Sequence, residues 1–407
     1  MSTAARTPAI LHLFRATLFA LAVAAITGLV FRGVLAWGWD LGASLVNIRH
    51  AHSHLMFFGW ITPALFVLLA SGAAALRRRP VSRAARVAIG ASLALGMTTH
   101  PLFLRFGYES VAIGSARLPL AAIASGLAVI AWYAFVLVWV RERRGAPRTA
   151  ATFAWDLALV VLVLSTLAVW PLSVLRPLGI DPAQWTPILL HAFLDPFSEG
   201  WLVLALLGLA HAELGGPARR PALVVIAVSA PLAFGLGVPR GLLPEAAYGV
   251  ASVASIAWAV ALLVALDGLR RSERARSWRW RVPLALGALA ALGKLAAGLT
   301  PFVDWSATHG LRLVYLHALL FGFVSLGALG AARFILGARA VPALQLIHVT
   351  ALATIASLLP LSEAWPERIA GGWSAGLAAS VAAVASMIFL ASFAASLAPR
   401  PPAPAPA

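Results

Sequence analysis

Cysteine does not occur in these 407 residues. Its absence removes disulfides, thiolate metal sites, iron–sulfur clusters and covalently attached c-type haem in one step. Charge is nearly as scarce. Charged residues make up 11% of the chain, against about 25% in a soluble domain, and lysine occurs once, at Lys294. The shortage falls on acids, so the formal net charge is +17. A basic face for nucleic acid is nevertheless excluded, because the arginines fall in short runs between apolar segments.

What the chain has in abundance is apolar sequence: 61% hydrophobic residues. A spanning helix needs about 20 apolar residues. Twelve runs of that kind lie near 9–31, 49–76, 84–103, 112–140, 150–173, 184–212, 219–238, 244–268, 281–302, 311–336, 341–361 and 371–397. The expected fold is therefore an all-α integral membrane domain over 1–398, with the lipid bilayer as its first partner. The Pro/Ala tail 399–407 is expected to be disordered. The first run lacks a small-residue cleavage site and reads as a retained helix rather than a signal peptide. Every second connection is basic ("RRRPVSRAAR", "RERRGAPR", "PARR", "RRSERARSWRWR"), and those between carry most of the acids. By the positive-inside rule both termini then lie in the cytoplasm. Trp37, Trp39, Trp170, Trp185, Trp305 and Trp365 fall at the outer interface as an aromatic belt.

Orientation gives depth, at about 1.5 Å per residue. His54, His191 and His317 enter on spans 2, 6 and 10, all from the outer side, and come to a similar level, roughly 7–11 Å below the surface. His50, His52, His100 and His309 lie close to that layer, whereas His12, His211 and His348 belong to the cytoplasmic half. A single buried histidine is as readily a structural residue bonded to a neighbouring carbonyl. Three on separate spans at one depth point instead to a haem or metal, because neutral imidazole is the commonest protein metal ligand. On a helix His50 and His54 share a face and His52 points nearly opposite. In "HAFLDPFSEGW" His191, Asp195 and Glu199 stand four residues apart on one face, with Pro196 expected to kink the helix between them. Carboxylates this deep need a cation, a metal or a proton to carry. That makes Asp195 and Glu199 candidate catalytic groups, or structural partners of Arg49 or Lys294. Arg49 also suits a haem propionate or a lipid phosphate.

The stretch "AHSHLMFFGW" resembles the His-x-His-x-Met-x-Phe-Gly signature of NnrS-type membrane haem proteins linked to nitric oxide stress. "LVYLHALLFGFVSLGALG", with His317, is similar to a second segment of those proteins. "LLHAFLDPFSEGW" loosely resembles the His-x-x-x-Glu helix of nitric oxide reductases, which belong to the haem–copper oxidase superfamily. The resemblance covers about a quarter of the chain. It implies a multi-pass protein of a bacterial cytoplasmic membrane that handles nitric oxide or oxygen, or carries electrons, with a respiratory-chain partner or quinone. It departs from the oxidases in carrying one histidine on span 10, none on span 7 and no tyrosine one turn after His191. A two-metal oxygen-reducing centre is therefore not expected. What remains is one haem, of the b type, held by His52 or His54 with His317. The alternative is a single iron, copper or zinc ion bound by some of His50, His54, His191, His317 and Glu199. His100, His309 and Lys294 are secondary candidates. A proton-coupled transporter using Asp195, Glu199 and Lys294, and a haem or metal assembly factor, are the competing functions.

Overall fold

The computed structural model describes residues 7–398 except 145–146, 176–177, 218 and 367–370; the Pro/Ala tail lies outside the described residues. Twelve helices are long and apolar enough to cross a membrane. They are α1 (Pro8–Trp37), α2 (Leu45–Arg77), α3 (Arg83–Phe106), α4 (Leu120–Glu142), α5 (Ala150–Val174) and α6 (Pro182–Leu214). The second half supplies α7 (Arg220–Gly237), α8 (Glu245–Arg270), α9 (Trp278–Ala297), α10 (Leu311–Leu336), α11 (Leu344–Leu361) and α12 (Trp373–Leu397). Each coincides with an apolar run.

Three boundaries differ from expectation. α2 begins at Leu45, so His50, His52 and His54 all lie inside the helix. Residues expected to open the fourth span form an antiparallel hairpin instead, β1 (Val111–Ile113) paired with β2 (Ala116–Leu118). Gly114, at φ 61°, supplies the left-handed turn between the strands, and Pro119 precedes the first residue of α4. The ninth span stops at Ala297, and a short helix, Thr300–Thr308, follows with a proline in its first turn. Of the belt tryptophans, Trp37, Trp39, Trp185, Trp305 and Trp365 are exposed. Trp170 instead turns inward and donates its indole N–H to the Tyr133 hydroxyl at 3.1 Å.

Burial separates a centre from a shell. The apolar windows of α2, α6 and α10 are 89%, 83% and 83% buried, and no other span exceeds 50%. Three helices thus form a core that nine others surround. Those three also carry the π-helical turns of the described residues: Leu55–Ile61, Pro196–Leu202 and His317–Ser325. In α6 the cause is visible in the sequence, because Pro196 has no N–H to give the helix ladder and its ring crowds the preceding turn. In α2 the segment ends just before Thr62-Pro63. The π turns are cross-braced: the Trp60 indole donates to Ser325 Oγ at 3.1 Å, and Trp258 donates to the Glu199 carbonyl at 2.9 Å. α3 approaches α2 so closely that a Cβ at Gly96 would lie 2.0 Å from the Phe58 carbonyl oxygen.

The end of the bundle that carries the arginine-rich connections also holds both ends of the described chain, since Pro8 and Ala398 line one cavity. Arginines there meet carboxylates: Arg77 with Glu142 at 2.9 Å, Arg143 with Asp156 at 2.6 Å, and Arg279 with Glu213. The histidines at issue sit toward the opposite end.

Candidate functional site

His54 is the tenth residue of α2, His191 the tenth of α6 and His317 the seventh of α10, so the three enter the core helices within one turn of the same level. Their side chains nevertheless part company. His52, not His54, turns toward α1 and donates Nδ1–H to the Ala24 carbonyl at 2.8 Å. His317 likewise donates Nδ1–H to the Leu313 carbonyl at 2.9 Å. A carbonyl can only accept, so each bond fixes the proton on Nδ1 and leaves the Nε2 lone pair free. Among the described residues neither Nε2 has a protein partner, and neither is sealed from access, in contrast to the enclosed Nε2 of His348. His52 and His317 are close enough to interact electrostatically with each other and with Arg32 of α1. Gly28 makes room for the ring: a Cβ there would stand 3.1 Å from His52 Cε1. His100 closes the same region, its Nε2–H donating to Thr27 Oγ1 at 2.9 Å while that hydroxyl donates to the Val23 carbonyl.

The other face of α2 holds His50 and His54, as the helical period requires. His54 stacks on Phe103 with ring centroids 3.8 Å apart, and both histidines pack against Tyr108. Ser125 Oγ gives its one proton to the Ala121 carbonyl at 3.0 Å, so at 3.3 Å it accepts from His54 Nδ1–H. His54 Nε2 then accepts from the Tyr108 hydroxyl at 3.1 Å. Both nitrogens are occupied, and His54 is held as a packed aromatic ring. Arg49 is exposed at the start of α2. Arg32, which the sequence reading passed over, occupies the position beside His52 and His317.

A second polar cluster links α6, α9 and α10. His191 Nδ1–H donates to Asp195 Oδ2 at 3.1 Å. Arg312 reaches His191 Nε2 at 3.3 Å and Asp195 Oδ1 at 3.3 Å. Here too glycine allows the approach, since a Cβ at Gly237 would fall 2.1 Å from His191 Nδ1 and 2.9 Å from Asp195 Oδ2. Past Pro196 the π turn sends Glu199 to different partners. Its Oε1 accepts from Lys294 Nζ at 2.7 Å and from the Tyr315 hydroxyl at 2.9 Å, whereas Oε2 is enclosed with no partner. Lys294 is thus the cation that the depth of Glu199 demanded. Arg312 and Tyr315 were missed, although their place on the outer turns of span 10, just before His317, was readable by the same count of depth.

His309 caps the short Thr300–Thr308 helix, donating to the Trp305 carbonyl at 2.7 Å and stacking on Trp305, and is not drawn to the other histidines. His348 donates to the Leu344 carbonyl at 2.7 Å, the structural arrangement expected of it. Among the described residues no three His, Asp or Glu side chains are grouped to hold a metal ion. His50, His54, His191, His317 and Glu199 are divided among three surroundings. A guanidinium occupies His191 Nε2 and an ammonium occupies Glu199 Oε1, while Glu199 Oε2 is left over.

No protein-family model matches this chain, and no curated protein does. Functional assignment therefore rests on the side chains themselves.

Proposed function

We propose that this chain is a membrane haem protein in which His52 and His317 would hold one b-type haem. The observation that carries the reading is the pair of imidazoles, on separate core helices, each tied through Nδ1–H to a backbone carbonyl and each presenting an accessible Nε2. Such a second bond fixes the tautomer and aims the ring, as it does for ligating histidines generally. Arg32 supplies a cation for a haem propionate, in place of Arg49. The likeness of "AHSHLMFFGW" and "LVYLHALLFGF" to NnrS-type proteins of the haem–copper superfamily supports ligands on the same two segments, His52 or His54 with His317.

When bound, haem supplies one-electron redox chemistry and, where an axial position opens, binding of nitric oxide or oxygen. What the chain contributes is a fixed ligand pair, a neighbouring guanidinium and an apolar surround. A group held by two histidines would favour electron carriage or gas sensing. In this reading the basic connections and both termini lie in the cytoplasm, and the site lies in the outer half of a bacterial cytoplasmic membrane. A quinone or a respiratory-chain protein is the electron donor in this reading. The test is the optical spectrum of the detergent-purified protein, oxidised and reduced, with metal analysis on the same sample. A Soret band that shifts on reduction and is lost in His317→Ala supports the proposal; a colourless protein without iron overturns it.

One observation favours a second reading. The buried Glu199–Lys294 pair, with Glu199 Oε2 unpartnered beside a π turn, is the kind of site that carries a proton in a membrane protein. Proton uptake by reconstituted vesicles that is lost in Glu199→Gln, in a protein free of haem, would make transport the function.

A further inference from the structure

At the opposite end of the bundle from His52 and His317, the start of α1, the turn after α10 and the end of α12 enclose a cavity of about 610 Å³. That is the volume of an ordinary ligand site. Its wall is divided by chemistry. Leu11, Leu336 and Leu397 give an apolar side, and His12, Arg15 and Arg339 a basic one; no acidic side chain lines it. His12 and Arg15 stand three residues apart on α1 and so share the face turned to the cavity. Arg333, by contrast, spends its guanidinium on the Val341 carbonyl at 3.1 Å, where it pins the connection that carries Arg339. Gly337, at φ 104°, opens that connection away from α10.

What marks the site is the gathering of two guanidiniums and an imidazole around one cavity whose described lining residues include no acid. Among the described residues Arg15 and Arg339 have no ion pair, and the Arg15 Nε, like those of Arg77 and Arg279, is enclosed without a hydrogen-bond partner. An enclosed guanidinium nitrogen left unpaired is costly. Two guanidiniums and an imidazole around one space, beside leucines that face the lipid-exposed flank, match a phosphate ester joined to an acyl chain. We propose that this cavity binds the phosphate headgroup of an anionic phospholipid, with Arg15 and Arg339 on the phosphate and Leu11, Leu336 and Leu397 along the glycerol and first methylenes. The proposal does not depend on haem binding.

Reconstitution of the full chain into vesicles of equal parts phosphatidylglycerol and phosphatidylcholine, re-extraction and native mass spectrometry test it. Phosphatidylglycerol is expected to stay bound in preference to phosphatidylcholine. The preference should fall about fivefold for each arginine removed in R15Q/R339Q and remain unchanged in R78Q/R79Q, which alters loop arginines at the same end. Should R15Q/R339Q fail to fold, R15K/R339K keeps the charges and is expected to retain part of the preference. Equal retention of the two lipids by the wild type, or undiminished preference in a folded R15Q/R339Q, overturns the site. Inorganic phosphate that binds as tightly as the lipid and displaces it overturns the lipid occupant in favour of soluble phosphate.

Discussion

Around His52 and His317 the polar atoms are half satisfied, whereas around His191, Asp195, Glu199 and Lys294 they are satisfied almost entirely by one another. Both regions put ionisable groups into the half of the bundle opposite the arginine-rich connections, and both rely on a glycine to let a ring come close. In the first, each imidazole has one backbone bond and an open lone pair. In the second, each formal charge faces its opposite, and only one carboxylate oxygen is left over. On the function proposed above the first is a ligand site, while the second ties α6 to α9 and α10. A buried ion pair costs desolvation that its own attraction only roughly offsets, so it fixes geometry more than it adds stability.

Four tests sharpen or break that contrast, and the largest effect belongs to the open pair. His317→Ala and His52→Ala are each expected to abolish haem retention, while His54→Phe and His191→Gln keep it; a full Soret band in either alanine variant would refute the assignment of ligands. Next comes Lys294→Met, which strands the Glu199 carboxylate and is expected to destabilise by about 3–5 kcal/mol. Most of that loss should return in Lys294→Met/Glu199→Leu, measured as unfolding in detergent with denaturant. A single variant as stable as the wild type would mean that the pair does not hold α6 to α9. Gly237→Ala drives a methyl into His191 and Asp195 and should cost about 1–3 kcal/mol by overpacking, with haem content unaffected. His54→Phe is the mildest. The ring keeps its stack on Phe103, so a loss below about 1.5 kcal/mol is expected from a near volume-conserving swap; a larger one would show that the bonds to Tyr108 and Ser125 matter more than the stack.

Much of this was readable before any coordinates. Composition and run length are local properties, and they located all twelve spans. The opposition of His52 to His50 and His54 followed from the helical period, and the burial of Glu199 already demanded a cation. The partners were not readable, because which helix neighbours which is a property of the assembled bundle. Arg32 became relevant only once α1 was seen beside α2, and Tyr315 only once α10 faced α6. The shared face expected of His191, Asp195 and Glu199 is kept: Asp195 and Glu199 stay close enough to act on one another and on Lys294, while Asp195 bonds to His191 and Glu199 to Lys294. The hairpin before α4 left a signal in the sequence, because Gly114, Ser115, Arg117 and Pro119 interrupt the apolar run there.

The π turns of the three core helices also bear on how this architecture tolerates change in length. Each amounts to one residue more than an α-helix of the same rise requires. Deleting a single residue within 55–61 would let α2 relax to regular α-helix. The segment bearing His50, His52 and His54 would then swing by about 100° relative to the half beyond Thr62. His52 would leave α1, and another residue would take its place, without a new side chain being introduced anywhere. In these helices, then, an insertion or deletion works as a rotary adjustment of one half of the helix against the other, and which side chain faces the neighbouring helix is inherited as a residue count as much as a residue type.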